Sequence, residues 1–396
     1  MPHDLFKEKI TQAVGILKEK DIDMWMTFVR ESGNIKDPAM DIVVDNGCTW
    51  PSAFIITKDG DTTAIVGTLD AENFERRGLY KNIIGYIKSV KEPLLEYLNK
   101  KEPKKIAINY SPNSNLADGL THGMYLILND ILEGTEFKNN LISSEDIVSA
   151  LRGRKSASEY SIMKEAVDET LKIFDEMTNI IKPGKTEIEI SQQIKKIAFD
   201  KGFGLAWEED HCPSVFTGPE AKSAHAGPSD RKVEKGHIVN VDFGIKLQGY
   251  CSDLQRTWYV LKDGETKAPA EVEKGFNVIR DSIQKVADSI KPGVKGCEMD
   301  DIARNYIIDN GYEEFPHGLG HQVGKEAHDG GGGLLPRWEK YGNSPFMEIE
   351  ESQVYTIEPR LYVEGYGTAT IEEEVFVTNN GCRFISKPQK ELILIK

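Results

Sequence analysis

An α/β domain followed by an α+β domain made of two similar halves is the fold class this sequence predicts. Three observations predict it. Helix and strand patterns alternate over roughly the first 145 residues, an Ile-Lys-Pro-Gly turn between two helices occurs twice, and each copy leads into a β segment of similar design. At 396 residues the chain exceeds what one core usually supports, so two domains, 1–145 and 150–396, are expected.

In the first domain Leu5, Ile10, Val14 and Leu17 recur at helical intervals, and residues 23–29 then read as a short buried strand. Residues 52–57 and 62–67 flank Lys58-Asp59-Gly60-Asp61, a hairpin signal. Residues 71–78 read as helical, 82–87 as extended, 91–100 as helical and 104–110 as extended. No motif in this part carries chemistry by itself.

From about residue 150 the repeat takes over. Ile181-Lys182-Pro183-Gly184 returns as Ile290-Lys291-Pro292-Gly293, and the same offset relates Glu189 to Glu298, Asp200 to Asp309, Gly202 to Gly311 and Phe203 to Tyr312. Each copy predicts a helix, the turn, a second helix and a glycine stop. The β segments 239–260 and 355–377 follow, with Gly249-Tyr250 matching Gly365-Tyr366 and Asp242 matching Glu358. Such a turn is common at helix ends, but the further ungapped matches make coincidence the weaker explanation.

A hydrophobic share of 39% with 29% charged residues fits a soluble globular protein. The net charge of -15 would repel a phosphate backbone and no basic stripe offsets it, so no nucleic-acid partner is expected. No run of eighteen apolar residues exists and the first twenty residues are charged throughout, which predicts no membrane partner and a cytoplasmic location. The five cysteines are scattered without a CxxC spacing, so neither a disulfide framework nor a thiolate zinc site is indicated.

Chemistry enters with the β segments. Asp242 sits in a run of apolar residues before Gly244, and Asp253 lies on the return arm after Gly249. If the chain folds back as a hairpin, the two acids come from neighbouring strands; Glu358 and Glu372 repeat the arrangement in the second half. Any one of them could lie on a solvent face. Four ionised carboxylates in one core, however, need partners or metals, and an oxygen-rich set with few histidines suits Mn²⁺ or Co²⁺. Two ions bridged by carboxylates lie roughly 3.5–4 Å apart and can share a hydroxide. His317, His321 and His328 then fall within twelve residues. Gly318 and Gly320 argue against a helical i, i+4 zinc pair, so the segment reads as a strand or irregular.

Together, Asp242 with Asp253, the HGLGH run followed by His328, TIEP and TIEEE resemble the five-ligand signature of the pita-bread metallopeptidases, peptidase family M24. The preceding α/β domain is similar to that of the creatinase/prolidase and aminopeptidase P branch. The resemblance implies an amino-terminal creatinase/prolidase-like domain and a pita-bread catalytic domain. It further implies an exopeptidase that cuts X-Pro bonds, as a dipeptidase or an aminopeptidase, through a hydroxide bridging two divalent ions, with Mn²⁺ first and Co²⁺ or Zn²⁺ as alternatives. Carried over by position, Asp242 and Glu372 bridge the metals, Asp253 chelates one, and His321 and Glu358 belong to the other, Glu358 also handling the proton of the attacking water. His225 corresponds to a substrate-contacting histidine, His328 to the one that stabilises the tetrahedral intermediate, and His317 to one lining the proline side of the pocket, with Leu319 expected beside it. A proline-containing peptide as substrate and a homodimer are expected.

Two departures stand out. The sequence has Glu358-Pro359-Arg360 and Thr370-Ile371-Glu372 where the family often has EPG and an arginine before the last IE. Residues Gly330-Gly331-Gly332-Gly333 follow Asp329 where many relatives continue HExP, which suggests a mobile loop at the pocket mouth. A non-catalytic pita-bread module that binds a peptide or protein is the alternative, as is metal-free amidine hydrolysis. Both predict missing ligands.

Overall fold

The structure, a computed structural model, describes residues 3–221 and 227–396. They divide into two compact units, Met1–Arg152 and Gly153–Lys396. The helix predicted first is α1 (His3–Glu19), and the strands that follow are β1 (Met24–Val29), β2 (Ser52–Thr57), β3 (Thr62–Gly67), β4 (Asn82–Tyr86), β5 (Ile106–Ile108) and β6 (Leu141–Ser143). They form one sheet in the order β4-β3-β2-β1-β5-β6. The β2–β3 hairpin pairs Ile56 with Thr62 and turns at Gly60, whose φ of 84° suits a residue without a side chain. Between the strands lie α2 (Met40–Val43), α3 (Thr68–Arg77), α4 (Lys91–Lys101) and α5 (His122–Ile131), and α6 (Glu145–Gly153) follows β6.

Strands β1, β2 and β3 are buried along their whole length because both sheet faces are covered. Their side chains alternate between two cores. Trp25, Phe54, Ile56 and Val66 pack with Ile10, Ala13 and Leu17 of α1, whereas Met26, Phe28, Ile55 and Ile65 pack with Leu94 of α4 and Leu128 of α5.

The second unit carries the repeat. Its first half opens with α7 (Ala157–Met177) and α8 (Glu187–Asp200), its second with α9 (Ala270–Ala287) and α10 (Gly296–Asp309). The glycines that close the two turns have nearly the same conformation, Gly184 at φ 90° and Gly293 at φ 89°. Gly184 N donates to Val233 O and Gly293 N to Ile349 O. Glu189 and Glu298 accept from the backbone N–H of Thr186 and Lys295 at the starts of their helices. The matched residues are therefore punctuation, doing the same local task twice.

The first β segment comprises β7 (Gly204–Leu205), β8 (Ser214–Thr217), β9 (Ile238–Phe243), β10 (Ile245–Leu247), β11 (Tyr250–Cys251) and β12 (Leu254–Val260). The second comprises β13 (Val354–Ile357), β14 (Arg360–Val363), β15 (Gly367–Thr370), β16 (Glu373–Val377), β17 (Cys382–Phe384) and β18 (Ile393–Ile395). β9 lies antiparallel between β8 and β12, and β13 pairs antiparallel with β16. Phe276, Ile279 and Ile283 of α9 pack with Ile307 of α10 against Ile357, Ile371 and Val375. A bridge between Gln255 and Glu372 joins the two segments. No helix among the described residues is long and apolar enough to cross a membrane.

Candidate metal centre

The first acidic pair is brought together by a tight hairpin. Gln248 and Gly249, both at positive φ, form the two-residue turn between β10 and β11. The chain then returns so that Gln255 stands opposite Asp242 and Leu254 opposite Phe243, with Asp253 just outside the ladder. Gly244 makes this approach possible, since a Cβ there would lie 1.8 Å from Ser252 O. In the second half Ile357 stands opposite Glu373, so Glu358 and Glu372 flank the end of that ladder in the same way.

Three consecutive glutamates take different directions, as a pleated strand requires. Glu372 is 1% exposed, and neither of its carboxylate oxygens has a hydrogen-bond partner. Glu373 instead accepts from Arg256 at 3.1 Å, from Ser386 Oγ and from Gln389 N. Glu374 accepts from the backbone N–H of Asp253 at 2.7 Å, which ties the second half to the first at the site.

His321 comes from an extended segment laid beside β13, where Glu358 N donates to Leu319 O and Thr356 N to His321 O. The expectation of an irregular, non-helical segment holds here. Gly320 is required for it, because a Cβ would sit 2.1 Å from Thr356 O. Helix α10 braces the segment from behind: Arg304 donates to the carbonyls of Phe315 and His317, and Asp300, paired with Arg304, accepts from Leu319 N. The His321 Nε2 stands 3.4 Å from Glu358 and 3.7 Å from Asp253, while Nδ1 lies 3.3 Å from Gln322 O. A neutral imidazole that donates from Nδ1 to that carbonyl leaves Nε2 free to bind a metal.

Asp253, His321 and Glu372 each offer a ligand atom, all within 4.8 Å of one another. Asp242, His321 and Glu358 share the wall of a cavity of about 300 Å³ that His317 and His328 also line. A second cavity, of about 290 Å³, meets the cluster along Asp242, Asp253, His321, His328 and Glu358 and is also lined by Trp207, Glu208 and His211. All five ligand positions expected from the sequence thus converge. His225 lies outside the described residues.

Electrostatics explains what such a cluster requires. Burial, then the charge of Glu358, pushes the Asp242 carboxyl well above the ordinary range. Burial followed by repulsion from the neighbouring carboxylates does the same to Asp253 and Glu372. Glu358 is half-buried, but the hydrogen bond and charge of His321 in its protonated form, with the charges of His317 and His328, outweigh the loss of hydration and hold it below its usual value. Asp242 Oδ1 has no hydrogen-bond partner either. Buried carboxylate oxygens without donors, facing a histidine nitrogen, form the donor set of a divalent-cation site, and these residues fit one.

The surroundings bring two corrections. Leu319 is fully buried in the core and does not reach the cavity, whose apolar wall consists of Phe216, Leu335 and Tyr341 beside His317. Within the glycine run, Gly332 and Gly333 serve close packing: Gln322 donates to Gly332 O, and a Cβ on Gly333 would fall 2.8 Å from Leu335. His328 meets His321 edge to face, with ring centroids 4.1 Å apart. Its neighbour Asp329 is buried, accepts from Lys325 N and forms an ion pair with the fully buried Lys155. Sequence reasoning missed Lys155, Gln255, Phe216 and Leu335. None carries a motif, and only proximity in the fold brings them to the site.

Comparison with known proteins places these features in context. The profile of metallopeptidase family M24 matches residues 161–379. An Xaa-Pro dipeptidase of Pyrococcus horikoshii is 31% identical over 251 residues, covering 63% of this chain and 67% of that protein. An uncharacterized peptidase of Staphylococcus aureus is 27% identical over 343 residues, 85% of this chain and 88% of the relative. Among solved structures, an Xaa-Pro dipeptidase from Bacillus anthracis superposes with a TM-score of 0.75 at 25% identity, over 98% of this chain and 99% of its own.

Proposed function

The chain belongs to metallopeptidase family M24 and is a metallopeptidase of pita-bread fold; from that premise we propose that it is a two-metal exopeptidase that hydrolyses X-Pro bonds. The observation that carries the reading is the gathering of Asp242, Asp253, Glu358, Glu372 and His321 beside the two cavities, with donor-less oxygens on Asp242 and Glu372. Five ligands, four of them anionic, exceed the needs of one ion of ordinary coordination. Asp242 and Glu372 would be shared, Asp253 would complete one site, and His321 with Glu358 the other. Divalent ions there would balance the acidic charge, supply an activated water and take up negative charge as the scissile carbonyl is attacked.

The chain's own residues do the rest. Glu358, whose carboxyl lies below its usual range, accepts the proton of the attacking water. His328, edge-on to His321 and shared by both cavities, donates a hydrogen bond to the oxygen that gains charge. Phe216, Leu335, Tyr341 and His317 offer a mostly apolar wall for a proline ring, whose nitrogen has no hydrogen to donate. His225 joins the proposal as a substrate contact. Mn²⁺ is the first-choice ion for an oxygen-rich set, with Co²⁺ and Zn²⁺ next. The five unpaired thiols support a reducing, cytoplasmic setting. A homodimer completes the proposal, and sedimentation of the purified chain tests it.

Metal analysis of protein reconstituted with Mn²⁺, followed by kcat/KM on Ala-Pro and Ala-Ala, tests the central claim. Two ions per chain are expected, with at least ~10-fold preference for proline, a margin of about 1.4 kcal/mol. A single tightly bound ion would remove the two-metal reading. Equal kcat/KM values would remove proline from it.

A further inference from the structure

His328 has to deliver a hydrogen bond to one defined point, yet no regular structure holds it. Residues 323–329 form neither helix nor strand. Its ring nevertheless stands edge to face on His321, with centroids 4.1 Å apart, and lines both cavities. A side chain on an irregular segment keeps such a place only if the backbone beside it is fixed by surrounding contacts.

The fixed point is the next residue. Asp329 is buried and held from three sides: its N–H donates to Gln322 O at 2.8 Å, its Oδ2 accepts from Lys325 N at 2.8 Å, and the same oxygen stands 3.7 Å from Lys155 Nζ. Gln322 and Lys325 belong to the same stretch of chain as His328. Lys155 does not. It lies just ahead of α7, and its own N–H is tied to Ser352 O at 2.8 Å. Gly324 lets the pair form, since a Cβ there would fall 2.1 Å from Asp329 Oδ2 and 2.6 Å from Lys155 Nζ.

The Lys155 side chain has no exposed surface and that of Asp329 almost none. Such a pair loses the hydration of two charges, and apolar residues of similar size often stabilise a fold as well or better. Stability is therefore a poor reason for placing a lysine there. What the pair does provide is a fixed separation between the start of α7 and the residue next to His328.

We propose that Lys155 is a positioning residue for the hydrolytic reaction: through its ion pair with Asp329 it sets the place of His328 against His321. The assignment rests on the role given to His328 above, and it adds what holds that histidine where the reaction needs it.

The test is a double-mutant cycle on metal-reconstituted protein, with Asp329→Asn and His328→Ala made singly and together. For each variant kcat and KM on Ala-Pro and Ala-Ala, metal content and the unfolding temperature are measured. Asp329→Asn keeps the shape and an acceptor for Lys325 N but removes the charge that faces Lys155. It is expected to lower kcat at least ~10-fold with KM within about 2-fold at full metal content, because His328 acts on charge that develops only during the reaction. In the His328→Ala background the same change is expected to lower kcat by less than about 2-fold more. Lys155→Met combined with Asp329→Asn removes both buried charges, which guards against a variant that fails to fold, and is expected to show the same coupling to His328→Ala. Equal fold-losses in the two backgrounds, or a lower unfolding temperature with kcat unchanged, would overturn the assignment. The function reading fails separately: wild type that cleaves neither peptide removes the exopeptidase, and His328→Ala with normal kcat removes the histidine's role. Additive losses in an active enzyme remove only the positioning by Lys155.

Discussion

At the scale of single residues, the same chemical group serves opposite ends within a few positions. Glu372 and Glu373 are adjacent and both buried, yet Glu373 meets Arg256, Ser386 and Gln389 whereas Glu372 meets no donor. Glu373 is satisfied by the protein, whereas Glu372 offers two donor-less oxygens, as the proposed metal site requires. Glu358 stands between these cases, since the histidines beside it, His321 first and then His317 and His328, hold its carboxyl below the usual range against its burial. Glu358→Gln preserves size and removes the proton acceptor. Turnover should therefore fall at least ~100-fold with KM for Ala-Pro little changed, measured by steady-state kinetics alongside metal content. Retained turnover at full metal content would move proton handling to another residue. The pattern Asp242, Asp253, His321, Glu358, Glu372 was legible in the sequence because each lies where an amphipathic strand or a glycine-rich run makes an ionisable group conspicuous. Lys155 was not legible: one lysine in a charged stretch acquires meaning only through its buried pairing with Asp329.

At the scale of elements, the hairpin between Asp242 and Asp253 depends on two glycines with different duties. Gly249 supplies a positive φ for the turn, and Gly244 permits the strands to close to a separation no side chain allows. Gly244→Ala places a methyl 1.8 Å from Ser252 O and 2.9 Å from the Ala206 methyl, so the arms must part. The expected result is a stability loss on the order of 1–3 kcal/mol and metal binding weakened at least ~10-fold, because Asp253 moves relative to Asp242. Denaturant unfolding and a Mn²⁺ titration on the same preparation measure both. Metal affinity equal to wild type would show that the hairpin spacing does not set the site. The hairpin could be read from the glycines and the flanking acids. The wall opposite could not, since Leu319 has the right composition and neighbourhood for it but turns into the core, and Leu335 takes that place from a different loop.

For the molecule as a whole, the cost of gathering two buried and two half-buried carboxylates is carried by the folded catalytic unit until cations bind. Metal binds the folded state and not the unfolded chain, so each ion adds stability by mass action, about 2.7 kcal/mol at a hundred times its dissociation constant. Stripping with a chelator and re-adding Mn²⁺ should raise the unfolding temperature by roughly 5–10 °C, followed by scanning calorimetry. An unchanged transition would mean that the cluster holds its charge without a cation. The sequence by itself determined the two-domain α/β plus α+β plan and the duplication, and it singled out the five acidic and histidine positions that the fold gathers beside the cavities. These are written in local signals: periodicity, turn glycines and acids placed in apolar strands. Only the tertiary structure decided that Gln255 and Glu372 bridge the two halves, that Arg360 stands across from Thr370, and which apolar side chains line the cavity. Those facts are strand registers and contacts that no local pattern encodes, the Gln255–Glu372 bridge most plainly, since its partners lie more than a hundred residues apart.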